Sequence, residues 1–322
     1  MRVLLTGATG FVGRAVLDRL VNSDDVEPVA AIRAHALPDF YRNVKTVGIS
    51  GLQADTDWSE ALDQVETVIH SAARVHVMND TESDPLEAFR KVNVEGTLKL
   101  AREAANSGVR RFVFISSIKV NGEGTSINAP YTADAAPAPI DPYGVSKMEA
   151  ERGLRDIAAR SGMEVVIIRP TLVYGPGVKA NFLNMMRWLD KGIPLPFGAI
   201  HNRRSLVALD NLVDLIVTCT RHPAAANQTF LVSDGEDLST TQLLRRMAKA
   251  LGKPARLLPV PSVLLEKSAL VLGKRALSQR LCGSLQVDIS KTRELLGWTP
   301  PVDVDKALLL TANYFLANER QH

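Results

Sequence analysis

Short runs of apolar, mostly β-branched residues recur through the first half of this 322-residue chain, and stretches with helical periodicity separate most of them. The runs predict strands at Arg2–Thr6, Val29–Ile32, Val44–Val47, Val65–Ile69, Arg111–Ser116 and Val165–Ile168. The helical stretches include Phe11–Val21, Pro85–Asn106 and Tyr143–Arg160. Because alternating strands and helices are joined by right-handed crossovers, the pattern predicts an α/β fold, a doubly wound parallel sheet with helices on both faces.

The alternation ends after Arg169-Pro170, where prolines begin to punctuate short helices and isolated strands. Two later runs, Leu206–Leu209 and Thr229–Val232, look like strands that return to the main sheet. The predicted division is a sheet domain over 1–170, rejoined by about 204–232, and a smaller, mostly helical C-terminal substrate-binding lobe over 171–203 and 233–322.

The composition excludes several classes of protein. The net charge is +3, the basic residues are scattered, and only 5% of residues are aromatic, so we expect no nucleic-acid partner. Cys219 and Cys282 are far apart and lack metal-ligand spacing, which indicates a reducing compartment and no metal site. The apolar N-terminus is too short for a signal peptide, and we expect a cytoplasmic protein.

The stretch Val263–Leu272 is the most apolar part of the second half. Glu266 and Lys267 interrupt it, and it is far shorter than the about 20 residues that span a bilayer. We therefore expect no integral membrane segment. The pattern favours an amphipathic helix, and peripheral contact with a membrane is the alternative.

Three glycines follow the first predicted strand and open the first helix. Gly7, Gly10 and Gly13 have the spacing Gly-x-x-Gly-x-x-Gly, which differs from the Gly-x-Gly-x-x-Gly of the standard dinucleotide fingerprint. Glycines in this position let the backbone approach a pyrophosphate at the positive end of a helix, so we predict a Rossmann-type dinucleotide site. The alternative is a tight turn without a ligand. The residues assigned to the site are Gly7, Thr9, Gly10, Phe11, Val12 and Gly13.

The end of the second strand bears on the choice of dinucleotide. An acidic residue there would bind the adenosine ribose of NAD, whereas an arginine accepts the additional phosphate of NADP. The strand Val29–Ile32 is followed by Arg33, with no carboxylate before Asp39. The sequence therefore favours NADP(H) over NAD(H). Alternatively, Arg33 stacks on adenine or points into solvent.

Tyr143 and Lys147 lie four residues apart in a predicted helix, which stacks a phenol beside an ammonium group. Tyrosine ordinarily titrates near pH ~10. A close lysine would lower the tyrosine pKa toward the range of general acid-base catalysis. The spacing alone is weak evidence, because a solvated lysine beside a half-buried tyrosine gives the same pattern.

Taken together, the glycine loop, Tyr143 and Lys147 resemble the extended short-chain dehydrogenase/reductases, in particular their nucleotide-sugar epimerase and reductase branch. The resemblance covers nearly the whole chain. Further segments in the family's order are Ile69-His70-Ser71-Ala72-Ala73, Asn93-Val94-Glu95-Gly96-Thr97, Ile115-Ser116-Ser117, Arg169-Pro170, Val173-Tyr174-Gly175-Pro176-Gly177 and Ser290 to Trp298. It implies a bound NADP(H) or NAD(H) and a UDP-sugar substrate.

The resemblance also implies roles for individual residues. Ser117 would hold the reacting oxygen, Tyr143 would be the acid-base group, and Lys147 would lower its pKa and hold the nicotinamide ribose. The remaining cofactor contacts would be Leu52, Ser71, Ala72, Ala73, Asn93, Pro170 and Thr171. The substrate contacts would be Ser117, Lys119, Asn181, Arg204 and, as a weaker candidate, Arg280.

Two segments differ from the family pattern. Ser50-Gly51-Leu52 replaces Gly-Asp-Leu, which leaves only the Leu52 backbone as an adenine contact. Asn121 replaces the tyrosine of a Val-Tyr-Gly segment after Ser117. That change and the nearby Lys119 suggest altered substrate contacts, although an exposed Lys119 would look the same.

Both reactions of this branch, epimerisation and reduction, move a hydride at a sugar carbon. Arg33 favours reduction, because a net reductase usually draws on NADPH. The segments Val75 to Asp80 and Ser116 to Glu123 favour it as well, because they resemble bacterial surface-polysaccharide enzymes that reduce UDP-4-keto-6-deoxy-N-acetylhexosamines. The first prediction is therefore reduction of a UDP-4-keto-6-deoxy-N-acetylhexosamine to UDP-QuiNAc or UDP-FucNAc. The alternatives are an NAD-dependent UDP-glucose or UDP-GlcNAc 4-epimerase and, more remotely, a non-catalytic NADP sensor.

The resemblance also bears on assembly. In relatives, helices matching Pro85–Asn106 and Tyr143–Arg160 form a bundle between two subunits, so a homodimer is expected. The alternative is ordinary packing of these helices on their own sheet.

Overall fold

The computed structural model describes residues 1–33, 41, 43–75, 84–271, 273 and 275–318. The strands are β1 (Arg2–Thr6), β2 (Glu27–Ile32), β3 (Lys45–Gly48), β4 (Thr67–His70), β5 (Arg111–Ile115), β6 (Glu164–Pro170), β7 (Leu172–Tyr174), β8 (Arg204–Ala208), β9 (Thr229–Val232) and β10 (Asp237–Leu238). The helices are α1 (Phe11–Val21), α2 (Pro85–Arg90), α3 (Thr97–Asn106), α4 (Pro142–Ser161), α5 (Ala180–Asp190), α6 (Leu209–Arg221), α7 (Thr240–Ala250), α8 (Ser262–Val271), α9 (Arg275–Cys282), α10 (Ser290–Leu296) and α11 (Val304–Asn318).

Seven of the described strands form one parallel sheet in the order β3-β2-β1-β4-β5-β6-β9. The order reverses at β1, where Thr6 lies opposite Ala31 of β2 and His70 of β4. Helices cover both faces, so the predicted Rossmann-type, doubly wound fold is confirmed. In open sheets of this kind, ligands bind beyond the carboxyl ends of the strands near such a reversal.

Only one of the two later strands returns to this sheet. β9 pairs with β6, with Ile167 opposite Thr229, and so occupies the remaining edge of β6. The prediction for β8 is wrong, because β8 pairs instead with β7 in parallel and with β10 in antiparallel orientation. The division of the chain into a sheet domain and a lobe stays a prediction.

The helix predicted over Pro85–Asn106 is divided by a π-helical turn at Lys91–Gly96. Two contacts account for the wider turn. The Asn93 side chain points inward and bonds the backbone of Arg74 on both sides, with N–O distances of 2.8 and 3.0 Å. A Cβ on Gly96 would lie 2.7 Å from the Leu52 carbonyl oxygen, so the helix and this loop touch backbone to backbone. Such single π-turns often occur at functional sites.

The main sheet is packed on both faces by apolar helix surfaces. On one face α1 and α6 bury residues such as Leu17 and Ile216, and on the other α3 and α4 bury Leu100 and Leu154. Burying one such side chain stabilises the fold by about 1.5–3 kcal/mol. The two layers therefore fix α1 and α4 relative to the strand ends on which the candidate site is built.

The C-terminal part is mostly helical, as predicted, and α5, α7 and α11 share a core that includes Met186, Leu244 and Phe315. Helix α8 overlaps the predicted stretch, but the expectation of an amphipathic helix is wrong, because its apolar side chains are distributed all around its axis. None of its residues is buried. No helix in the described ranges is long and apolar enough to cross a membrane.

Candidate functional site

The residues assigned to a cofactor from sequence follow the ends of the parallel strands. Gly7 follows β1, Arg33 follows β2, Ser71 follows β4, Ser117 comes two residues after β5, and Thr171 follows β6. Because all these strands run in the same direction, their carboxyl ends share one edge of the sheet. The fold therefore brings the predicted segments to a single crevice.

The glycine loop has the geometry of a phosphate-binding turn. Gly7 has a φ of 75°, the left-handed region that favours glycine, and its carbonyl accepts a 2.8 Å hydrogen bond from Gly10. A Cβ on Gly13 would lie 2.0 Å from the Gly7 carbonyl oxygen, so α1 begins directly against the turn. Thr9 and Gly10 are exposed in front of it. The open N-terminus of α1 therefore fits a dinucleotide pyrophosphate.

His70 lies beneath this crevice and was not assigned a role from sequence. Its side chain is fully buried; Nδ1 lies 2.7 Å from Thr6 Oγ1 and Nε2 lies 2.9 Å from Thr97 Oγ1. The Thr6 hydroxyl also accepts from the Ala72 amide at 3.3 Å. The ring therefore ties together β1, β4 and α3 below the cofactor edge. A histidine in an otherwise apolar buried strand was the available signal.

His70 also predicts acid sensitivity. Burial, followed by the charge of Lys147, lowers the pKa of His70 to about 3, whereas an unfolded histidine titrates near ~6.5. Between those values the unfolded chain binds the additional proton, so this group stabilises the fold above pH ~6.5 and loses that contribution as the pH falls.

We expect the free energy of unfolding to fall by about 1.4 kcal/mol per pH unit below pH ~6 through His70 alone. Urea unfolding between pH 4.5 and 7.5 measures this slope. His70→Gln should flatten it, and exposed His201→Gln serves as the control. Equal slopes in wild type and His70→Gln would contradict the prediction.

The other cofactor residues lie around the crevice. Ser71, Ala72 and Ala73 are half-buried along the loop after β4. Asn93 is 1% exposed and donates to Ser146 Oγ at 3.1 Å, so its amide holds that loop against α4. This engagement makes Asn93 a support for the crevice in the present structure.

The two ends of the crevice differ in exposure. Arg33 is exposed after β2, and Leu52 is half-buried where its loop meets Gly96. Pro170 and Thr171 are buried at the end of β6, and the Thr171 hydroxyl donates to the Val232 carbonyl at 3.3 Å. Asp39 and the segment from His76 to Asp80 lie outside the described residues.

Tyr143 and Lys147 stand in the first turns of α4. Asp141 caps the helix by accepting from the Gly144 amide at 2.7 Å, and Pro142 occupies the first helical position. A Cβ on Gly144 would lie 2.8 Å from the Lys119 carbonyl oxygen. The glycine beside Tyr143 therefore lets the segment that follows Ser117 pack closely on the helix.

The charges at this pair differ from the sequence-based expectation. The Lys147 ammonium donates to the Ile115 carbonyl at 2.8 Å, and burial lowers the pKa of Lys147 to about 7 against the opposing influence of Glu151. Burial, and then the Asp141 carboxylate, raise the pKa of Tyr143 above its ordinary value. The prediction that Lys147 lowers this pKa is wrong for this structure, because the ammonium is bound to a carbonyl and the phenol is desolvated.

Ser117 is half-buried after β5, and its hydroxyl accepts from the Lys119 amide at 3.3 Å at the start of a short turn over Ile118–Val120. The Lys119 ammonium forms ion pairs with Glu123 and Asp141, so two carboxylates already neutralise it. Its role as a substrate contact stays a prediction.

Asn121 is 1% exposed. The difference from the family's tyrosine therefore falls in the protein interior in this structure, and the altered substrate contacts stay a prediction.

The substrate-side arginines lie where β8 meets α9. Arg203 and Arg204 alternate along the strand start, so Arg203 is exposed whereas Arg204 Nη1 donates to the Gly283 carbonyl at 3.1 Å. Burial and the neighbouring Arg280 guanidinium lower the pKa of Arg204. Two close cations suit a diphosphate, to which guanidinium groups bind in a bidentate manner. Asn181 is exposed in the first turn of α5.

The described residues include no cluster of three or more histidine, cysteine or carboxylate side chains that could hold a metal ion. The site offers an open helix end that fits a pyrophosphate, the predicted serine, tyrosine and lysine, and a pair of arginines. Such a set can move a proton at an alcohol oxygen of a phosphorylated ligand.

Comparisons with known proteins extend this description. The family model described as "NAD dependent epimerase/dehydratase family" matches residues 3–233. A Vibrio cholerae protein named UDP-glucose 4-epimerase is 52% identical over 320 residues, which cover 99% of this chain and 97% of that protein. An Escherichia coli O157:H7 protein named N-acetyl-alpha-D-glucosaminyl-diphospho-ditrans,octacis-undecaprenol 4-epimerase is 26% identical over 97% of this chain and 94% of its own length.

The fold has close relatives among solved structures. The crystal structure of UDP-glucuronic acid 4-epimerase from Bacillus cereus in complex with NAD superposes with a TM-score of 0.79. The match covers 98% of this chain and 99% of that one, at 21% sequence identity. At this level of identity the likeness concerns the fold.

Proposed function

Because the chain belongs to the NAD dependent epimerase/dehydratase family, we propose that it is an NAD-dependent 4-epimerase of a UDP-hexose, either UDP-glucose or UDP-GlcNAc. The observation that carries the proposal is the 52% identity to a UDP-glucose 4-epimerase along nearly the full length of both chains. The relatives support epimerisation better than the reduction that the sequence favoured. Ser117, Tyr143 and Lys147 serve either reaction.

NAD fits the site, because Gly7 and Gly13 leave room for a pyrophosphate at the open end of α1. The glycine loop and the loop from Ser71 to Ala73 would hold it. Bound NAD would supply the hydride acceptor and donor. In this proposal the Tyr143 oxygen takes the proton from the sugar C4 hydroxyl and later returns it. The Ser117 hydroxyl forms a hydrogen bond with the C4 oxygen of the sugar.

An epimerase must present both faces of C4 to one cofactor. The sugar therefore has to turn within the site while the rest of the substrate stays bound. In this proposal Arg204 and Arg280 hold the diphosphate during that movement, because two guanidinium groups can form several charge-assisted hydrogen bonds to its oxygens. The 4-keto sugar stays on the enzyme between the two hydride transfers.

Product analysis tests the proposal. Purified protein is incubated with NAD and UDP-glucose or UDP-GlcNAc, and the sugars are separated by chromatography. We expect the C4 epimer to appear without net change in absorbance at the NADH wavelength. The absence of any epimer from both substrates would contradict it.

Reduction is the second candidate, and Arg33 is the observation that favours it. Arg33 is exposed at the end of β2, where it could accept the additional phosphate of NADP. A UDP-4-keto-6-deoxy-N-acetylhexosamine and NADPH are supplied together. Stoichiometric NADPH oxidation, without epimerisation of UDP-GlcNAc, would establish the reductase. Equal reaction rates with NADH and NADPH would show that Arg33 does not select for the additional phosphate of NADP.

Helix α8 gives a reason to include a lipid-linked sugar diphosphate in the substrate panel. Its apolar residues are exposed, among them Leu264 at 57% and Val271 at 86%. A cavity of about 640 Å³ between α8 and α9 reaches Gly283, whose carbonyl accepts from Arg204. If this surface receives a polyprenyl chain, Leu264→Ser combined with Val271→Ser will lower activity on the lipid-linked sugar and leave activity on UDP-glucose unchanged.

Arg204 should matter for substrate affinity. Replacing it with methionine removes a charge-assisted contact worth about 1.5–3 kcal/mol, so KM for the UDP-sugar should rise about 10- to 100-fold. Steady-state kinetics measures this change. Arg203→Met is the matched control, because the neighbouring side chain is exposed. An equal effect of the two variants would refute the assignment.

A homodimer stays part of the proposal. Helices α3 and α4 pack against each other, and a Cβ on Gly153 would lie 2.6 Å from Leu98. In the proposed dimer the outer surfaces of these helices contact a second subunit, as the family resemblance implies. Light scattering of the purified protein distinguishes a mass near 35.0 kDa from twice that value.

A further inference from the structure

Glu151 stands at the centre of a buried polar network, four residues after Lys147 on α4. Its side chain is fully buried, and Ser116 Oγ donates to Oε1 at 2.6 Å. Arg169 donates to both carboxylate oxygens, from Nε at 2.8 Å and from Nη2 at 2.5 Å. Arg155 adds a longer contact of 3.3 Å from the partly exposed side.

Arg169 carries the network onward to the loop that follows Ser117. Its third donor, Nη1, bonds Asn121 Oδ1 at 3.0 Å. Asn121 in turn donates to the Thr132 carbonyl at 3.2 Å. Arg169 is 2% exposed, so water does not screen these bonds. A guanidinium group with three directed donors fixes orientation as well as charge.

The network holds the candidate catalytic serine from both sides. Ser116 precedes Ser117 directly, and Asn121 caps the short turn that begins at Ser117. Ser116 binds Glu151 itself, and Asn121 binds the arginine that is paired with Glu151. The chain is therefore bonded to the same ion pair on both sides of Ser117, to Glu151 through Ser116 and to Arg169 through Asn121.

Glu151 lies on α4, the helix that carries Tyr143 and Lys147, and Arg169 lies on β6. We propose that Glu151 and Arg169 are positioning residues, which fix Ser117 relative to Tyr143 and Lys147 during the reaction. The proposal rests on the proposed function for the roles of those three residues, and it holds for epimerisation and reduction alike. The two residues are buried and contact other side chains of the protein.

The Glu151 charge also acts on Lys147. Burial lowers the pKa of Lys147, and Glu151 opposes that effect. The other titratable groups near the ammonium are Tyr143, one turn earlier on α4, and His70 on β4. His70 stays neutral, because its pKa is about 3. Loss of the Glu151 charge should therefore lower the pKa of Lys147 and move its deprotonation to lower pH.

A double substitution tests the proposal without leaving a buried charge unpaired. Glu151→Leu combined with Arg169→Met replaces the ion pair by apolar groups, a change that folded proteins often tolerate. We expect kcat to fall about 10- to 100-fold, because displacement of a reacting group by about 1 Å has that cost. KM for the UDP-sugar and the affinity for NAD should change less than about twofold. Glu151→Gln removes the negative charge alone, and in that variant the alkaline limb of the kcat profile should move to lower pH.

The same strands provide a matched control at their opposite ends. Arg111 begins β5 and Glu164 begins β6, and their side chains pair at 2.7 Å with Arg111 buried. Arg111→Met combined with Glu164→Leu removes a comparable ion pair far from the carboxyl edge. Circular dichroism and thermal unfolding compare the fold of the two double variants. We expect the control variant to keep kcat and the pH profile of the wild type.

Each outcome decides the matter. A folded Glu151/Arg169 variant with wild-type kcat and pH profile would overturn the proposal. If that variant does not fold, Asn121→Ala removes the bond from Arg169 and the bond to Thr132 while the Glu151–Arg169 pair stays intact. An unchanged kcat in that variant would overturn the proposal instead. Wild-type turnover of UDP-glucose or the 4-keto sugar is measured first. Its absence would refute the proposed function, whereas equal activity of wild type and variant would refute the positioning role alone.

Discussion

Replacing Tyr143 by phenylalanine is expected to lower kcat for the UDP-sugar by about 10²- to 10⁴-fold, the usual contribution of a positioned acid-base group. The phenylalanine ring keeps the edge contact with Phe89, whose centroid lies 5.9 Å from that of Tyr143, so the fold should remain intact. Initial rates with UDP-glucose, together with NAD binding by fluorescence, separate loss of chemistry from loss of cofactor.

Tyr174→Phe is a suitable control for this experiment. Tyr174 is buried, and its hydroxyl donates to Asp234 at 2.8 Å. We expect the control to lose some stability and to keep its turnover. If Tyr143→Phe retained the wild-type rate, the acid-base assignment would be wrong.

Because the surroundings of the phenol disfavour its charged form, its activation needs a further cause. Burial raises the pKa of Tyr143, and Lys147 is bonded to the Ile115 carbonyl. Bound NAD carries a positive nicotinamide ring, which would favour the phenolate when it lies nearby. A spectroscopic titration of the tyrosine with and without NAD should therefore show a lower pKa in the complex. The Tyr143→Phe variant identifies the signal.

Gly13→Ala is expected to abolish or strongly weaken dinucleotide binding. The new methyl group would lie 2.0 Å from the Gly7 carbonyl oxygen, and both partners belong to the backbone, so no side chain can move aside. Separation of α1 from the turn would open the phosphate site and cost about 1–3 kcal/mol of stability through overpacking. We expect NAD affinity to fall at least about tenfold, a change of about 1.4 kcal/mol.

Isothermal titration with NAD measures this effect. Gly48→Ala is the matched control, because a Cβ at Gly48 meets no atom within 4 Å. That variant should bind NAD as the wild type does. Undiminished NAD binding by a folded Gly13→Ala protein would show that the cofactor does not approach this turn.

Local sequence patterns were sufficient to predict elements that short-range interactions specify. The helix at Phe11–Val21 was predicted with the bounds that the structure has, because a glycine turn and a regular apolar face specify it. The helix over Pro85–Asn106 was predicted without its π-helical turn. That turn depends on Asn93 reaching the Arg74 backbone and on Leu52 touching Gly96, contacts between segments distant in sequence.

The family resemblance predicted the class of reaction. The choice between reduction and epimerisation rested mainly on Arg33, and a single residue was not sufficient to support it. Arg33 tilted the sequence-based prediction to NADPH-dependent reduction, whereas the long match to a UDP-glucose 4-epimerase favours the alternative. A single arginine constrains weakly, because its side chain is exposed and its contacts depend on a loop and a ligand.

By itself the sequence determined the parallel sheet and the glycine turn, because periodicity and backbone freedom are properties of short segments. The roles of Ser117, Tyr143 and Lys147 follow from the family resemblance and stay predictions. Only the tertiary structure decided which contacts hold these residues in place and how their pKa values are shifted. Glu151 and Arg169 lie 18 positions apart, and they act on Ser117 through one buried ion pair. Desolvation also set the pKa of Tyr143, since burial is a property of the packed fold.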